Sequence, residues 1–187
     1  MTLGGHAALY SVLPLFSEQR ARSAEVCAIL ESEFGDSLRG SPRWLGSFSL
    51  AIWGHYRSVA RPLTPPLQGL TVRMIEAAKA ANWAMPEDGF TTVFVQRYDR
   101  GDFVAPHLDP SDNLHSTLIL SLGDYAGPLH TIGTDSLVSL PPGSMLRLPC
   151  RVGAVWGPRH SVSRVEAGVR WSIILNKIEG QAVVLPT

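Results

Sequence analysis

Two residues apart in the fragment APHLDP stand a histidine and an aspartate, His107 and Asp109. Side chains of an extended chain alternate between faces, so on a strand this spacing turns an imidazole and a carboxylate to the same side, where both could hold one metal ion. The pair alone carries little weight, because an HxD arises by chance in roughly a quarter of chains with this histidine and aspartate usage. A third donor changes that. His160, in GPRHSV, lies on a later run that reads as a strand, and a strand returning beside the first brings its ring to the pair. Two imidazoles and one carboxylate form the facial triad that suits non-haem Fe(II) and leaves positions open for a co-substrate and O2. Further along, GVRWSIIL sets Arg170 in an otherwise apolar strand. An inward guanidinium there needs an anionic partner, and its planar fork matches a carboxylate of a dicarboxylate such as 2-oxoglutarate. Arg164 is the competing candidate for that task.

Each member also has a plainer reading. Pro106 and Pro110 flank the HxD and suit a surface turn, and His160 taken singly suits a satisfied core histidine. The ordered set of His-x-Asp, distant His and following Arg is far more specific than any member, and the metal reading prevails. His6, His55, His115 and His130 have no ordered partners and receive no role.

These residues need elements to position them. From Ser17, a plausible cap, to about Phe34, the residues Ala24, Cys27, Ala28, Leu30 and Phe34 recur near helical spacing, and after Gly35 the chain turns frequently. FSLAIW, Phe48 to Trp53, suits a strand. After Pro62, Pro65 and Pro66, a second helix is expected over Leu67 to Asn82, with Leu70, Val72, Met74, Ile75, Ala78 and Ala81 on its apolar positions. Beyond Phe90 come TTVFVQRY, STLILSL, SLVSL, SMLRLP, RHSVSRV and VRWSIILNKI, separated by Gly, Pro or Asp. Many short strands at close spacing indicate a sandwich or jelly roll. The expected fold is α+β: a double-stranded β-helix over residues 90–187 with N-terminal supporting helices, residues 1–89 forming a helical and lid part of one single domain spanning 1–187.

The length of 187 residues suits one well-buried domain, and 45% hydrophobic against 17% charged residues requires a packed core. Lys plus Arg and Asp plus Glu both number 16, so the net charge is zero and gives no reason to invoke tight backbone binding to a polyanion. The N-terminus lacks a basic segment followed by a long apolar run, so neither a signal peptide nor a membrane span is expected. Cys27 and Cys150 are too few for a disulfide framework and read as reduced core thiols of a cytoplasmic protein.

FTTVFVQRYDRGDFVAPHLDP, STLILSLGDY, PPGSML, PRHSV and GVRWSIILN, in this order, resemble the AlkB-type branch of the Fe(II)/2-oxoglutarate oxygenases, over roughly Phe90 to Lys177 and with a weaker echo in Tyr56 to Leu70. The resemblance implies that His107, Asp109 and His160 are iron ligands, that Arg170 binds the distal carboxylate of 2-oxoglutarate, and that Tyr98 and Gln96 stand at co-substrate-binding positions. It also implies oxidation, by hydroxylation or demethylation, of a nucleobase in DNA or RNA. Three positions depart from the AlkB pattern: Asn176 stands for a second Arg, Gln96 for an Asn, and Ser172 for an Asn after the first Arg. HLDPSDN, LGDYAGPL and GVRWSIIL are also similar to the TET and base J-type pyrimidine oxygenases, so both branches stay open. Asp109 speaks against halogenation, because halide-transferring relatives lack the carboxylate ligand. The alternatives to a nucleobase oxygenase are a hydroxylase of a small metabolite or protein side chain and, from another class, a binding domain without chemistry. Trp44, Trp53, Tyr56 and Trp83 precede the core where a substrate lid would form; aromatics there could stack a base, as could Trp156, but they serve equally as packing.

Overall fold

The computed structural model describes residues 10–15, 19–39, 43–44, 48–56, 59–109, 116–127, 129–133, 136–149, 151–152 and 155–186. Their elements, in chain order, are β1 (Ser11–Pro14), α1 (Gln19–Arg39), β2 (Arg43–Trp44), β3 (Phe48–Tyr56), β4 (Val59–Arg61), α2 (Pro65–Ala80), β5 (Thr92–Tyr98), β6 (Val104–His107), β7 (Ser116–Ala126), β8 (Leu129–Ile132), β9 (Ser136–Ser139), β10 (Ser144–Pro149), β11 (Arg151–Val152), β12 (Val155–Trp156), β13 (His160–Val162) and β14 (Ala167–Asn176). A large antiparallel sheet runs β1-β10-β7-β14-β5-β3-β2, with β4 also paired to β3; a smaller one runs β6-β13-β8-β9, and β11 pairs with β12. From β5 onward the chain alternates between the two larger sheets, which makes the double-stranded β-helix expected from the sequence.

The alternation of β7 and β14 builds two cores at once. Leu118, Leu120, Leu122, Trp171, Ile173 and Leu175 face outward and share a cluster with Leu30 and Phe34 of α1 and with Leu67, Leu70, Met74, Ile75 and Ala78 of α2. Inward, Ile119, Leu146 and Leu148 of the large sheet meet Ile132, Val138 and Leu140 from the β8–β9 side. Each fully buried Leu or Ile contributes roughly 1.5–3 kcal/mol, and Leu120→Ala, with no exposed surface to relax into, would cost about 2–5 kcal/mol.

The helices differ in detail from the expectation. Ser17 lies outside the described residues, and α1 runs through Gly35 to Arg39. Glycine in a helix interior costs about 1 kcal/mol relative to alanine, less than the burial of Leu38 one turn beyond Phe34 returns. Ala24 and Ala28 are exposed; the inner stripe is Ser23, Leu30, Phe34 and Leu38. In α2 the first turn accepts Pro65 and Pro66, which lack the N–H that a helix start leaves unpaired, while Val72 and Ala81 are exposed.

The N-terminal part is not only helices and a lid. β1 pairs with β10 at one edge of the large sheet and β3 pairs with β5 towards the other. The expected lid aromatics divide accordingly. Trp53 is buried against Phe34, with ring centroids 4.6 Å apart, and Trp83 packs on the same core. The side chains of Trp44 and Trp156 lie outside the description. Cys27 is a free, half-buried thiol whose pKa burial pushes up to about 11, so it is inert at neutral pH; Cys150 lies outside the described residues. No helix among the described residues is long and apolar enough to cross a membrane.

Candidate functional site

A cavity of about 310 Å³ opens between the two sheets, lined among others by Gln96, Tyr98, His107, Asp109, His130, His160, Arg170, Ser172 and Asn176. The small sheet supplies the histidines. β13 pairs with β6 so that His160 and His107 are direct partners, their ring centroids 4.3 Å apart. β6 ends at His107, so Asp109 does not sit on the strand as its spacing suggested; it lies just past the strand end, and its carboxylate still reaches the pair, with Oδ1 3.7 Å from His160 Nε2. One donor atom from each of His107, Asp109 and His160 falls within 4.8 Å of the others.

The donor chemistry fits a divalent metal. His107 Nδ1 is 2.9 Å from the Ala105 carbonyl and His160 Nδ1 is 3.1 Å from the Pro158 carbonyl. A carbonyl only accepts, so each Nδ1 carries a proton, and in the neutral ring Nε2 then presents a lone pair, the tautomer a ligand needs. Burial first, then the neighbouring His160, lowers the pKa of His107, which favours the neutral, coordinating form.

Across the cavity the large sheet presents rows of inward residues set by register. Arg170 stands between Gly123 and Tyr98, Ser172 between Ser121 and Gln96, and Ile174 between Ile119 and Phe94. The wall thus passes from cationic to polar to apolar along β14. Gly123 permits the first row: its φ is +120°, and a Cβ there would lie 2.1 Å from the Val169 carbonyl oxygen.

Arg170 is 1% exposed, and among the described residues no carboxylate pairs with it. Its Nε–H donates to Ser121 Oγ at 2.9 Å, Nη2 donates to His130 Nε2 at 3.1 Å, and its guanidinium carbon lies 4.8 Å from the Tyr98 ring centroid. Ser121 Oγ is 2.7 Å from the Tyr125 hydroxyl, which donates to the Leu140 carbonyl. The direction of this chain is therefore determined: arginine to serine to tyrosine to backbone. Among the described residues, Nη1 of Arg170 and Oγ of Ser172 are buried with no hydrogen-bond partner. A buried donor without an acceptor costs about 1–3 kcal/mol, more when charged, and an anion seated in the cavity would remove that cost. The residues therefore fit a carboxylate at this end.

The sequence-derived residues gather in one place. Tyr98 and Gln96 line the same wall, the Tyr98 hydroxyl donating to Gln96 Oε1 at 2.6 Å; burial above all pushes the Tyr98 pKa up to about 12, so it stays protonated. Arg164 does not compete with Arg170: it is exposed, stacks on Phe103 at 4.4 Å and donates to the Gly101 carbonyl. Three site residues lacked a legible signal. His130, Ser121 and Tyr125 meet Arg170 only because β8 and β7 are brought beside it, and nothing in the sequence around His130 points to a role for it. Tyr56 and Phe94 form an edge-to-face pair at 5.3 Å that also lines the cavity.

No family model matches the chain, and no curated protein matches it. Solved structures do match. The viral collagen prolyl hydroxylase of Paramecium bursaria Chlorella virus-1, as its 2OG complex, is similar over 91% of this chain and 97% of its own, with a TM-score of 0.64 and 12% identity. OsALKBH1 is similar over 92% of this chain and 100% of its own, with a TM-score of 0.66 and 16% identity. A 2OG-Fe(II) oxygenase family oxidoreductase from Burkholderia pseudomallei is similar over 94% and 86%, with a TM-score of 0.63 and 15% identity. The chain therefore has the double-stranded β-helix fold of these oxygenase structures.

Proposed function

We propose that this chain is an Fe(II)- and 2-oxoglutarate-dependent oxygenase. In this reading His107, Asp109 and His160 hold the iron, and Arg170 grips the far carboxylate of 2-oxoglutarate beside Tyr98 and Gln96. The observation that carries it is the sharing of one cavity by a His-Asp-His cluster and a buried guanidinium whose Nη1 has no partner among the described residues. Fe(II), when bound, would supply the redox chemistry by which O2 converts 2-oxoglutarate to succinate and carbon dioxide and gives its second oxygen atom to the prime substrate. The protein's own part is positional. The tautomers of His107 and His160 are set by backbone carbonyls, the guanidinium is set by Ser121 and His130, and the apolar wall of Leu50, Ile119 and Ile174 restricts water.

For the prime substrate we propose a nucleobase in DNA or RNA, presented singly or flipped from a duplex. Support comes from the AlkB-like and TET-like wording of the core and from the Tyr56–Phe94 pair on the apolar part of the wall, a surface on which a planar ring can stack. Zero net charge speaks against tight, non-specific binding to the phosphate backbone, so in this reading recognition is carried mainly by the pocket. A second reading, hydroxylation of a protein side chain or small metabolite, is favoured by the fold likeness to a collagen prolyl hydroxylase and to a prolyl-4-hydroxylase from Pseudomonas putida. Incubation with Fe(II), 2-oxoglutarate and single-stranded oligonucleotides carrying methylated adenine, cytosine or thymine, followed by nucleoside mass spectrometry, separates them. An oxidised or demethylated base supports the first reading; no change in any base, with turnover of a proline-containing peptide or a metabolite, supports the second.

A further inference from the structure

Arg170 enters the cavity from β14 of the large sheet, and His130 meets it from β8 of the small one. His130 is 2% exposed and faces the same cavity. An arginine side chain has no acceptor, so the 3.1 Å contact has one possible direction: Nη2–H of Arg170 donates to the Nε2 lone pair of His130. The imidazole must then be neutral, in keeping with a pKa held well below the usual histidine value by burial and by the charge of Arg170. Among the described residues the other groups against the guanidinium are uncharged as well: Ser121 holds Nε, the Tyr98 ring covers a face, and the Tyr98 and Tyr125 hydroxyls lie beside it.

This environment has a consequence for binding. A carboxylate in place of His130 would fix the guanidinium equally well but would neutralise it, and a ligand carboxylate would have to displace that partner. A neutral acceptor fixes the orientation while leaving the full positive charge and Nη1 for the ligand. A long side chain ordered in advance also gives up less conformational freedom on binding.

We propose that His130 is the positioning residue of the carboxylate-binding arginine, its Nε2 holding Arg170 so that Nη1 faces the far carboxylate of a five-carbon 2-oxo dicarboxylate. The inference rests on the reading of Arg170 as the co-substrate anchor. The test compares the affinities of Mn(II)-loaded protein for 2-oxoglutarate and for pyruvate, a 2-oxo acid without the far carboxylate, by calorimetry. The ratio isolates the far-carboxylate contribution from metal chelation and from general structural damage. His130→Phe removes the acceptor and should reduce the preference for 2-oxoglutarate about tenfold or more, the worth of one charge-assisted hydrogen bond. His130→Gln places an amide oxygen near the Nε2 position and should retain most of it. His130→Glu, a second variant should the first not fold, should abolish the preference while the ligand-free melting temperature holds or rises. Retention of the full preference in the Phe or Glu variant, or its loss in Gln to the extent seen in Phe, overturns the proposal. A wild-type protein that binds 2-oxoglutarate no better than pyruvate overturns instead the reading of Arg170, and this inference with it.

Discussion

Replacing Arg170 by lysine keeps the charge and removes the fork. Among the described residues the guanidinium is held by hydrogen bonds to Ser121 and His130, and Nη1 has no partner there; an ammonium cannot hold both partners and present a second donor to the same carboxylate. Loss of one charge-assisted hydrogen bond to the ligand, about 2 kcal/mol, weakens 2-oxoglutarate binding about thirtyfold. At a ligand concentration about 100 times the wild-type Kd, binding stabilises the wild-type fold by about 2.7 kcal/mol, whereas a thirtyfold weaker site yields only about 0.9 kcal/mol. For a chain of this size about 1 kcal/mol moves Tm by 2–4 °C, so the ligand-induced shift should fall from about 5–11 °C to about 2–4 °C. Differential scanning fluorimetry of Mn(II)-loaded protein with and without 2-oxoglutarate reads this directly, with Arg164→Lys as the control that keeps the wild-type shift. An undiminished shift in Arg170→Lys, or a diminished one in Arg164→Lys instead, would refute the assignment of the anchor.

Alanine at His107, Asp109 or His160 should abolish stoichiometric Fe(II) binding, measured by anaerobic titration, and normal binding in all three variants would remove the metal assignment. Treatment of the wild type with a chelator should reverse the metal-dependent rise in Tm, and re-addition of Fe(II) should restore it. His130 has its folded-state pKa depressed by burial, so below the ordinary histidine value near 6.5 the unfolded chain binds the extra proton. Its contribution is complete above that pH and declines as pH falls, with a slope of at most about 1.4 kcal/mol per pH unit. His130→Gln should therefore flatten the loss of Tm between neutral and acid pH, and an unchanged profile would contradict this. Gly123→Ala forces a Cβ to 2.1 Å from the Val169 carbonyl and should lower Tm and weaken 2-oxoglutarate binding together; an unaltered melting curve would show that the β7–β14 pairing tolerates it.

The fold was legible where periodicity and burial agree. TTVFVQRY, STLILSL and VRWSIILNKI read as strands because apolar and β-branched residues dominate them, and the structure turns Val93, Leu120 and Ile173 of these strands to the helix side and Gln96 and Arg170 to the cavity side. The cluster of His107, Asp109, His160 and Arg170 was legible because metal and carboxylate chemistry demand particular residue types in an order the strands can bring together. The extension of α1 through Gly35 was not, because the glycine penalty is local whereas the burial of Leu38 that offsets it is tertiary. β8 was missed because LHTI shows no apolar–polar alternation to distinguish it from a turn. With β8 went His130, whose role depends on the distance between two sheets and on no feature of its own neighbourhood in the chain.

The central claim, that the His-Asp-His cluster and Arg170 form one iron and 2-oxoglutarate site, is tested most directly by following succinate formed from 2-oxoglutarate in air. Succinate formation by the wild type should depend on Fe(II), rise with the prime substrate and be lost in Asp109→Ala. Succinate formation that persists in Asp109→Ala, or its absence from the iron-loaded wild type with every nucleobase, peptide and metabolite offered, would contradict it.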